Sequence, residues 1–413
     1  VISWRDGTVS RIRRAWPGAV ELEVAVAGEP SAQVRALAYP ALTGRPEPGD
    51  RVLLNTTALD LGLGTGGYAL VVAVPDRLPP DRSGPGHLVK ARYTPLQAVV
   101  LGADEQGSPY HETLRTADDI GAMPVVVADL HSALAPVLAG LYFDAERTYE
   151  ERSPAADAAG PGARPEPAPG ASGRTGQGPG QGPGPGGVRV AYVMTDGGAL
   201  PAWFSRTCAT LREAGWLTGT ITVGQAFGGD LEAVTLHSGL LAARHVLGAD
   251  VAVVTQGPGN LGTGTRWGFS GVAAGEAVNA AAVLAGRPVA ALRISEADPR
   301  ERHRGVSHHS LTSYGRVALA HADVVVPILP GDFGTQVTEQ ARPLGGRHTL
   351  VHVGVGGLDE ALRACPAPLS TMGRGLDQDR AYFLAAAAAG RHAAVLLRSA
   401  TMAVSGRAGE GRP

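Results

Sequence analysis

His303, His308 and His309 put three of the chain's 12 histidines within seven residues, interleaved with Arg300, Arg302 and Arg304. Imidazole is the side chain that exchanges protons near neutral pH, and guanidinium forks grip phosphate or carboxylate. The segment therefore reads as an acid/base group beside an anion clamp. His308 or His303 would act as general acid/base, oriented by Asp298. Arg300 and Arg302 would hold the anion, with His309 in support. A solvated, charged loop is the plain alternative. His303 and His308 could also ligate a metal with Asp196, Asp230 or Asp129, although no HExxH-like spacing demands one. The sequence specifies no particular metal or cofactor.

The second chemistry-bearing stretch is a glycine loop: Gly257, Pro258, Gly259, Asn260, Leu261, Gly262, Thr263, Gly264 and Thr265. Such a loop lets backbone N–H groups approach an anion closely; a structural turn is an equal reading. Its G-x-G-x-x-G string is a weak dinucleotide fingerprint. Pro258 sits in the turn, the helix begins late, and Glu296 follows too far along. No Gly-Lys-Ser/Thr follows, so it is not a Walker loop. Asp196 would activate water or hold a cation, Gln225 and Asp230 would contact the ligand, and Arg374 and Asp377 could close the site. Cys208 reads as core, and no G-x-S-x-G elbow supports a serine nucleophile. His237 reads as a helix-surface residue. His245, His321, His348, His352 and His392 lack companions and read as structural.

These residues fall just after apolar runs that read as buried strands, at 97–102, 124–128, 188–194, 219–223, 250–255, 288–294, 322–328 and 349–353. Helical patterns lie near 131–142, 201–214, 231–247, 269–285, 334–342 and 378–389. The alternation predicts an α/β domain over 88–400, an open, mostly parallel sheet with helices on both faces. Such sheets take ligands at the carboxyl ends of their strands, where the polar residues sit. Residues 1–85 carry short β-branched runs with hairpin spacing and predict a small β-barrel or sandwich. This reads as a structural or oligomerisation module, compatible with a homo-oligomer. Residues 152–187, with 11 glycines, 8 prolines and no large apolar residue, predict a disordered insertion inside the α/β domain. Residues 401–413 predict a flexible tail. The alanine-rich stretch from Ala381 reads as a buried helix followed by a strand.

Lys90 is the only lysine among 36 basic residues, and the formal charge is −2. Arginine for lysine, with abundant Ala, Gly and Pro, reflects GC-rich codons. The balance gives no net field for nucleic acid or an anionic membrane. Cys208 and Cys365 cannot alone form a disulfide framework or zinc site. The N-terminus is charged where a signal peptide needs an apolar stretch, and no apolar run reaches the roughly 18 residues of a membrane span. The expectation is a cytoplasmic protein.

GDRVLLNTTALDLGLGTGGYALVVA, YVMTDGGALPAWFSR, TVGQAFGGDLEAVT, QGPGNLGTGTRWGFSGV and SEADPRERHRGVSHHSLT together resemble an uncharacterised bacterial domain-of-unknown-function family, number 3866, typical of GC-rich Gram-positive bacteria. The likeness covers nearly everything except 152–187. It implies no activity or catalytic residue. The residues themselves support an enzyme, a hydrolase or group transferase, acting on a small anionic or phosphorylated metabolite. A non-catalytic ligand-binding regulator is the alternative, and a nicotinamide-dependent oxidoreductase a weaker one.

Overall fold

Residues 1–28, 32–64, 66–152 and 180–409 are described by the computed structural model. Strands β1 (Trp4–Trp16), β2 (Ala19–Val26), β3 (Ala32–Ala38), β4 (Arg51–Asn55) and β5 (Ala69–Ala73) close into a barrel in the order β1-β2-β3-β5-β4. Helices α1 (Pro40–Thr43) and α2 (Thr57–Asp60) flank β4. Alternation explains the closure: Val20, Leu22 and Val24 point inward with Val9, Val52, Leu54 and Val71. Glu21 and Glu23 point the other way and pair with Arg13, Arg14 and Arg11.

The chain continues through hairpin β6 (Leu88–Lys90) and β7 (Ala98–Val100) and helix α3 (His111–Arg115). Then come β8 (Pro124–Val127), α4 (Leu134–Arg152), β9 (Val190–Thr195), α5 (Arg206–Glu213), β10 (Gly219–Thr222), β11 (Leu231–Glu232), α6 (Leu236–His245) and β12 (Val251–Gln256). Helix α7 (Ala273–Val283) leads to β13 (Arg287–Ala291), hairpin β14 (Ile294–Ser295) and β15 (Gly305–Val306), and α8 (His308–Thr312). The rest is β16 (Asp323–Ile328), α9 (Gly331–Ala341), β17 (Thr349–Gly354), α10 (Leu358–Arg363), hairpin β18 (Ser370–Thr371) and β19 (Arg374–Gly375), and α11 (Arg380–Gly409).

Eight strands make one parallel sheet, in the order β11-β10-β9-β12-β8-β13-β16-β17. Helices cover both faces, so its strands are apolar throughout rather than alternating. Val125, Val127, Val254 and Val324 pack with residues of α6, α7 and α9. Val126, Tyr192, Val253 and Val325 pack with residues of α4, α5, α10 and α11.

Helix α4 leaves β8 toward the second face. The strands on either side of β8 lead to the first, β12 through α7 and β13 through the segment carrying Tyr314. The carboxyl end of β8 is therefore a switch point, the crevice where parallel sheets take ligands.

Several elements differ from the sequence expectation: α4 runs on to Arg152 and α5 starts only at Arg206. The run 97–102 forms a strand only at Ala98–Val100 and pairs with Leu88–Lys90 outside the main sheet; the eighth strand is β11. Helix α6 starts at Leu236 rather than 231, because Thr235 and Ser238 form a capping box that fixes its first turn. Among the described residues no strand follows Ala381: α11 runs on through Arg391 and His392, whose side chains are met by Asp144 and Asp323. The tract expected to be disordered falls largely on 153–179, outside the described residues. Its end is held in a turn, with Gln181 N–H donating to the Thr218 carbonyl at 2.7 Å. Of the tail, 401–409 continue α11 and 410–413 lie outside the described residues. No helix among the described residues is long and apolar enough to cross a membrane.

The barrel docks on the α/β unit around Trp203. Trp16 Nε1 donates to the Trp203 carbonyl at 2.7 Å, and the Tyr39 ring lies 6.1 Å from that of Trp203. The β1–β2 turn requires glycine at 18, where φ is +83° and a Cβ would overlap the Trp203 ring.

Candidate functional site

The histidines collect beside β8 because one serine organises the turn that carries them. Ser307 caps α8, its Oγ accepting from His309 N–H at 3.2 Å, and the same Oγ lies 2.8 Å from His303 Nδ1. The rings of His303, His308 and His309 stand 4.4–4.9 Å apart between centroids. One nitrogen from each falls within 4.8 Å of the other two. His309 stacks on Phe269 at 3.7 Å and 3°, which fixes its plane. His308 Nε2 is buried without a hydrogen-bond partner among the described residues. Burial, then the charges of Arg293 and Arg300, push His303 down to about 3. Burial, then His309 and Arg302, push His308 down to about 4. Both rings are neutral near pH 7.

Behind them runs a buried ionic network. Arg293, 5% exposed, lies 3.9 Å from both Asp129 Oδ2 and Asp298 Oδ2. Asp298 receives a two-pronged contact from Arg300, Nε to Oδ1 at 2.8 Å and Nη2 to Oδ2 at 2.7 Å. Arg374 Nη2 adds a contact at 3.4 Å and turns its Nε to Asp379 at 3.0 Å. Asp379 also accepts from Ser295 Oγ at 2.7 Å. Burial alone raises the Asp298 carboxyl, but the hydrogen bonds and charge of Arg300 outweigh it and hold the group well below the usual carboxylate range. Three carboxylates thus answer three guanidiniums. Asp129 Oδ2 is the loose end: it is buried and makes no hydrogen bond, yet lies 3.5 Å from His309 Nδ1. Arg293 Nη1 lies 3.2 Å from that same nitrogen.

Of the residues singled out in the sequence, His303, His308, His309, Asp298, Arg300 and Arg302 gather in this region. Asp298 is clamped by arginines and makes no hydrogen bond to a histidine. Arg302 is exposed and acts on His308 by charge; its Nη2 lies beside Gly264 of the glycine loop. That loop folds back as a hairpin, with Thr263 N–H donating to the Gly268 carbonyl at 2.8 Å. The Gly259, Gly262, Gly264 and Thr265 N–H groups make no hydrogen bond among the described residues. Asn260 Oδ1 is taken by Gln256 Nε2 at 2.9 Å, and Gly257 N–H by the Thr195 carbonyl at 3.1 Å. The loop does not abut a helix start, since α7 begins only at Ala273 after a 3-10 turn. This removes the helix-dipole part of the anion argument.

The other three form no contact with the histidines. Asp196 accepts from Gln225 N–H at 2.8 Å, and Gln225 Oε1 holds Arg92 N–H at 3.0 Å. Beside them Lys90, 2% exposed, donates to the Gly224 and Ala233 carbonyls at 2.8 and 2.9 Å and lies 3.6 Å from Glu232. The compact ammonium thus meets three acceptors, and it pins β6 to the sheet edge. Asp230 pairs with Arg212 and accepts from Thr220 N–H at 2.7 Å. Asp377 is exposed and pairs with Arg363.

His131 follows β8 as well. Its Nδ1 lies 2.9 Å from Tyr192 Oη and its Nε2 2.7 Å from Ser205 Oγ. Burial pushes it down to about 4. With Asp230 and Trp203 it lines a cavity of about 1150 Å³ where the barrel meets α5. Sequence reasoning missed Arg293, Phe269, Ser307 and Asp379. Arg293 carried a readable signal, a lone charge in the apolar run PVAALRIS, where burial demands partners.

The profile of a family described as proteins of unknown function, DUF3866, matches residues 35–150 and 183–390. The chain belongs to the DUF3866 family. The matched portion of this DUF3866 protein contains the histidines, the glycine loop and the whole ionic network, while the unmatched interval falls in the Gly/Pro tract. No curated protein and no solved structure matches the chain.

Proposed function

We propose that this DUF3866 protein is a cytoplasmic hydrolase or group transferase acting on a small anionic or phosphorylated metabolite, with its site at the carboxyl end of β8. The observation that carries the reading is the convergence of three imidazoles, two of them held neutral, beside exposed Arg302 and the open N–H groups of the glycine loop. A switch-point crevice is where such a fold places ligands, and perturbed histidines grouped with cations mark functional sites more often than surfaces. The histidines would supply the group that activates water or the acceptor. Arg302 and the loop would hold the anion.

The test is a thermal-shift screen of phosphorylated and carboxylated metabolites, followed by mass spectrometry of the incubated mixture. The expected result is one metabolite that raises the melting temperature and is consumed. Arg302→Ala should weaken its binding, and His308→Ala should stop turnover. A metabolite that stabilises the protein without being consumed would move the reading to a ligand-binding regulator. Stabilisation untouched by both substitutions would place the ligand elsewhere.

A further inference from the structure

We infer that His303, His308 and His309 form a binding site for a divalent transition metal, zinc by its ligand type, with a fourth position left for water or a substrate oxygen. The inference rests on the proposed site and names the cofactor it would use. Three nitrogens within 4.8 Å of one another are close to the spacing a tetrahedral ion imposes, about 3.3 Å for Zn–N bonds of 2.0–2.1 Å. Rotations of the His303 and His308 rings must close the difference, since Phe269 fixes the plane of His309.

The surroundings decide which nitrogens are free. His303 Nδ1 is engaged by Ser307 Oγ, and its Nε2 makes no hydrogen bond among the described residues. Asp129 Oδ2 is a buried acceptor with no donor, and His309 Nδ1 is 3.5 Å away. Arg293 Nη1, which can only donate, lies 3.2 Å from the same nitrogen, so metal binding requires His309 Nδ1 to give up that contact and turn a proton to Asp129, leaving Nε2 as a lone pair. His308 Nε2 is already buried and unpartnered. A serine behind one imidazole and a carboxylate behind another are the outer contacts that orient metal-binding histidines and raise their basicity. The guanidiniums nearby do not forbid a dication, because Asp129, Asp298 and Asp379 offset Arg293, Arg300 and Arg374. Three nitrogen ligands with one open position suit zinc, whereas magnesium and calcium prefer oxygen.

The experiment uses tag-free, full-length protein stripped with a chelator and titrated with Zn²⁺ and, separately, Co²⁺. The expected result is one equivalent bound, with the intense visible band of tetrahedral Co²⁺ and a higher melting temperature. X-ray absorption of the zinc-loaded wild type should show histidine scattering from three imidazoles. His308→Ala, checked for a normal melting curve, should lose at least 100-fold in affinity, and Asp129→Asn about 10–100-fold. No stoichiometric binding, or binding unchanged in His308→Ala, overturns the site. These readouts are of binding alone, so a protein that binds no metal refutes the metal site and leaves the proposed function to its own test. A loaded protein that binds no metabolite refutes only the proposed function.

Discussion

Replacing Asp298 with asparagine separates a clamp from a catalytic group. The wild-type side chain is fully buried and accepts from Arg300 twice through the side chain and once from its backbone N–H at 3.1 Å. Asparagine keeps one acceptor and turns an N–H₂ toward a guanidinium that can only donate. The network then holds three guanidiniums against two carboxylates. Breaking one partner of a buried pair costs about 3–5 kcal/mol. The lower end is expected, since Arg300 is about a third exposed and can turn to water, and Arg374 keeps Asp379. Denaturant titration at neutral pH should show this loss, together with retained zinc binding. The pH dependence has a definite sign. Asp298 is held below its ordinary value of 3.8, so its contribution is complete above that value and drains as pH falls toward the folded value. The gap between wild type and variant should therefore narrow on acidification. A variant as stable as wild type but unable to bind metal or metabolite would refute the clamp and return Asp298 to the role of orienting a histidine.

Gly390→Ala should destabilise by about 1–3 kcal/mol, because a Cβ there overlaps the Val137 carbonyl across the α4–α11 contact; a thermal melt equal to wild type would show that the helices are not in backbone contact. Trp203→Ala should cost about 3 kcal/mol and loosen the barrel, read as faster proteolysis between residues 74 and 88 with the α/β unit intact. His131 sits at about 4 against 6.5 for a free imidazole, so the folded state binds fewer protons between those values. Its own contribution to stability should be full above pH 6.5 and fall toward pH 4, on the order of 3 kcal/mol. His131→Gln should flatten that slope, and an identical slope in the variant counts against the assignment.

The parallel sheet was legible because strands covered on both faces carry unbroken valine runs, as in Pro124–Val127 and Val251–Gln256. Two-residue β11 was not, since an edge pairing that short leaves no pattern. The histidine cluster was legible because its members are neighbours in sequence, joined through Ser307. Asp196, Gln225 and Asp230 were grouped with it by the rule that ligands meet strand ends, but that rule identifies a whole rim. Strand order decides which ends meet. β12 lies between β9 and β8, so Asp196 starts about 10 Å from Asp129, and β10 is one strand further. β13 adjoins β8 directly, which is how Arg293 reaches Asp129. Lys90 showed in the sequence only as the single lysine of an arginine-rich chain; its buried ammonium meets two carbonyls and Glu232.

Helix α11 packs against α4 and over β8, β13 and β16, which gives the order of synthesis a consequence. The ribosome completes β8 about 250 residues before it begins α11. At 5–20 residues per second that is roughly 10–50 s. Throughout that interval Val126 has no α11 to cover it, and Val289 and Val325 join it uncovered as β13 and β16 are made. This face of the sheet is therefore completed only after α11 has been made, long after the strands beneath it.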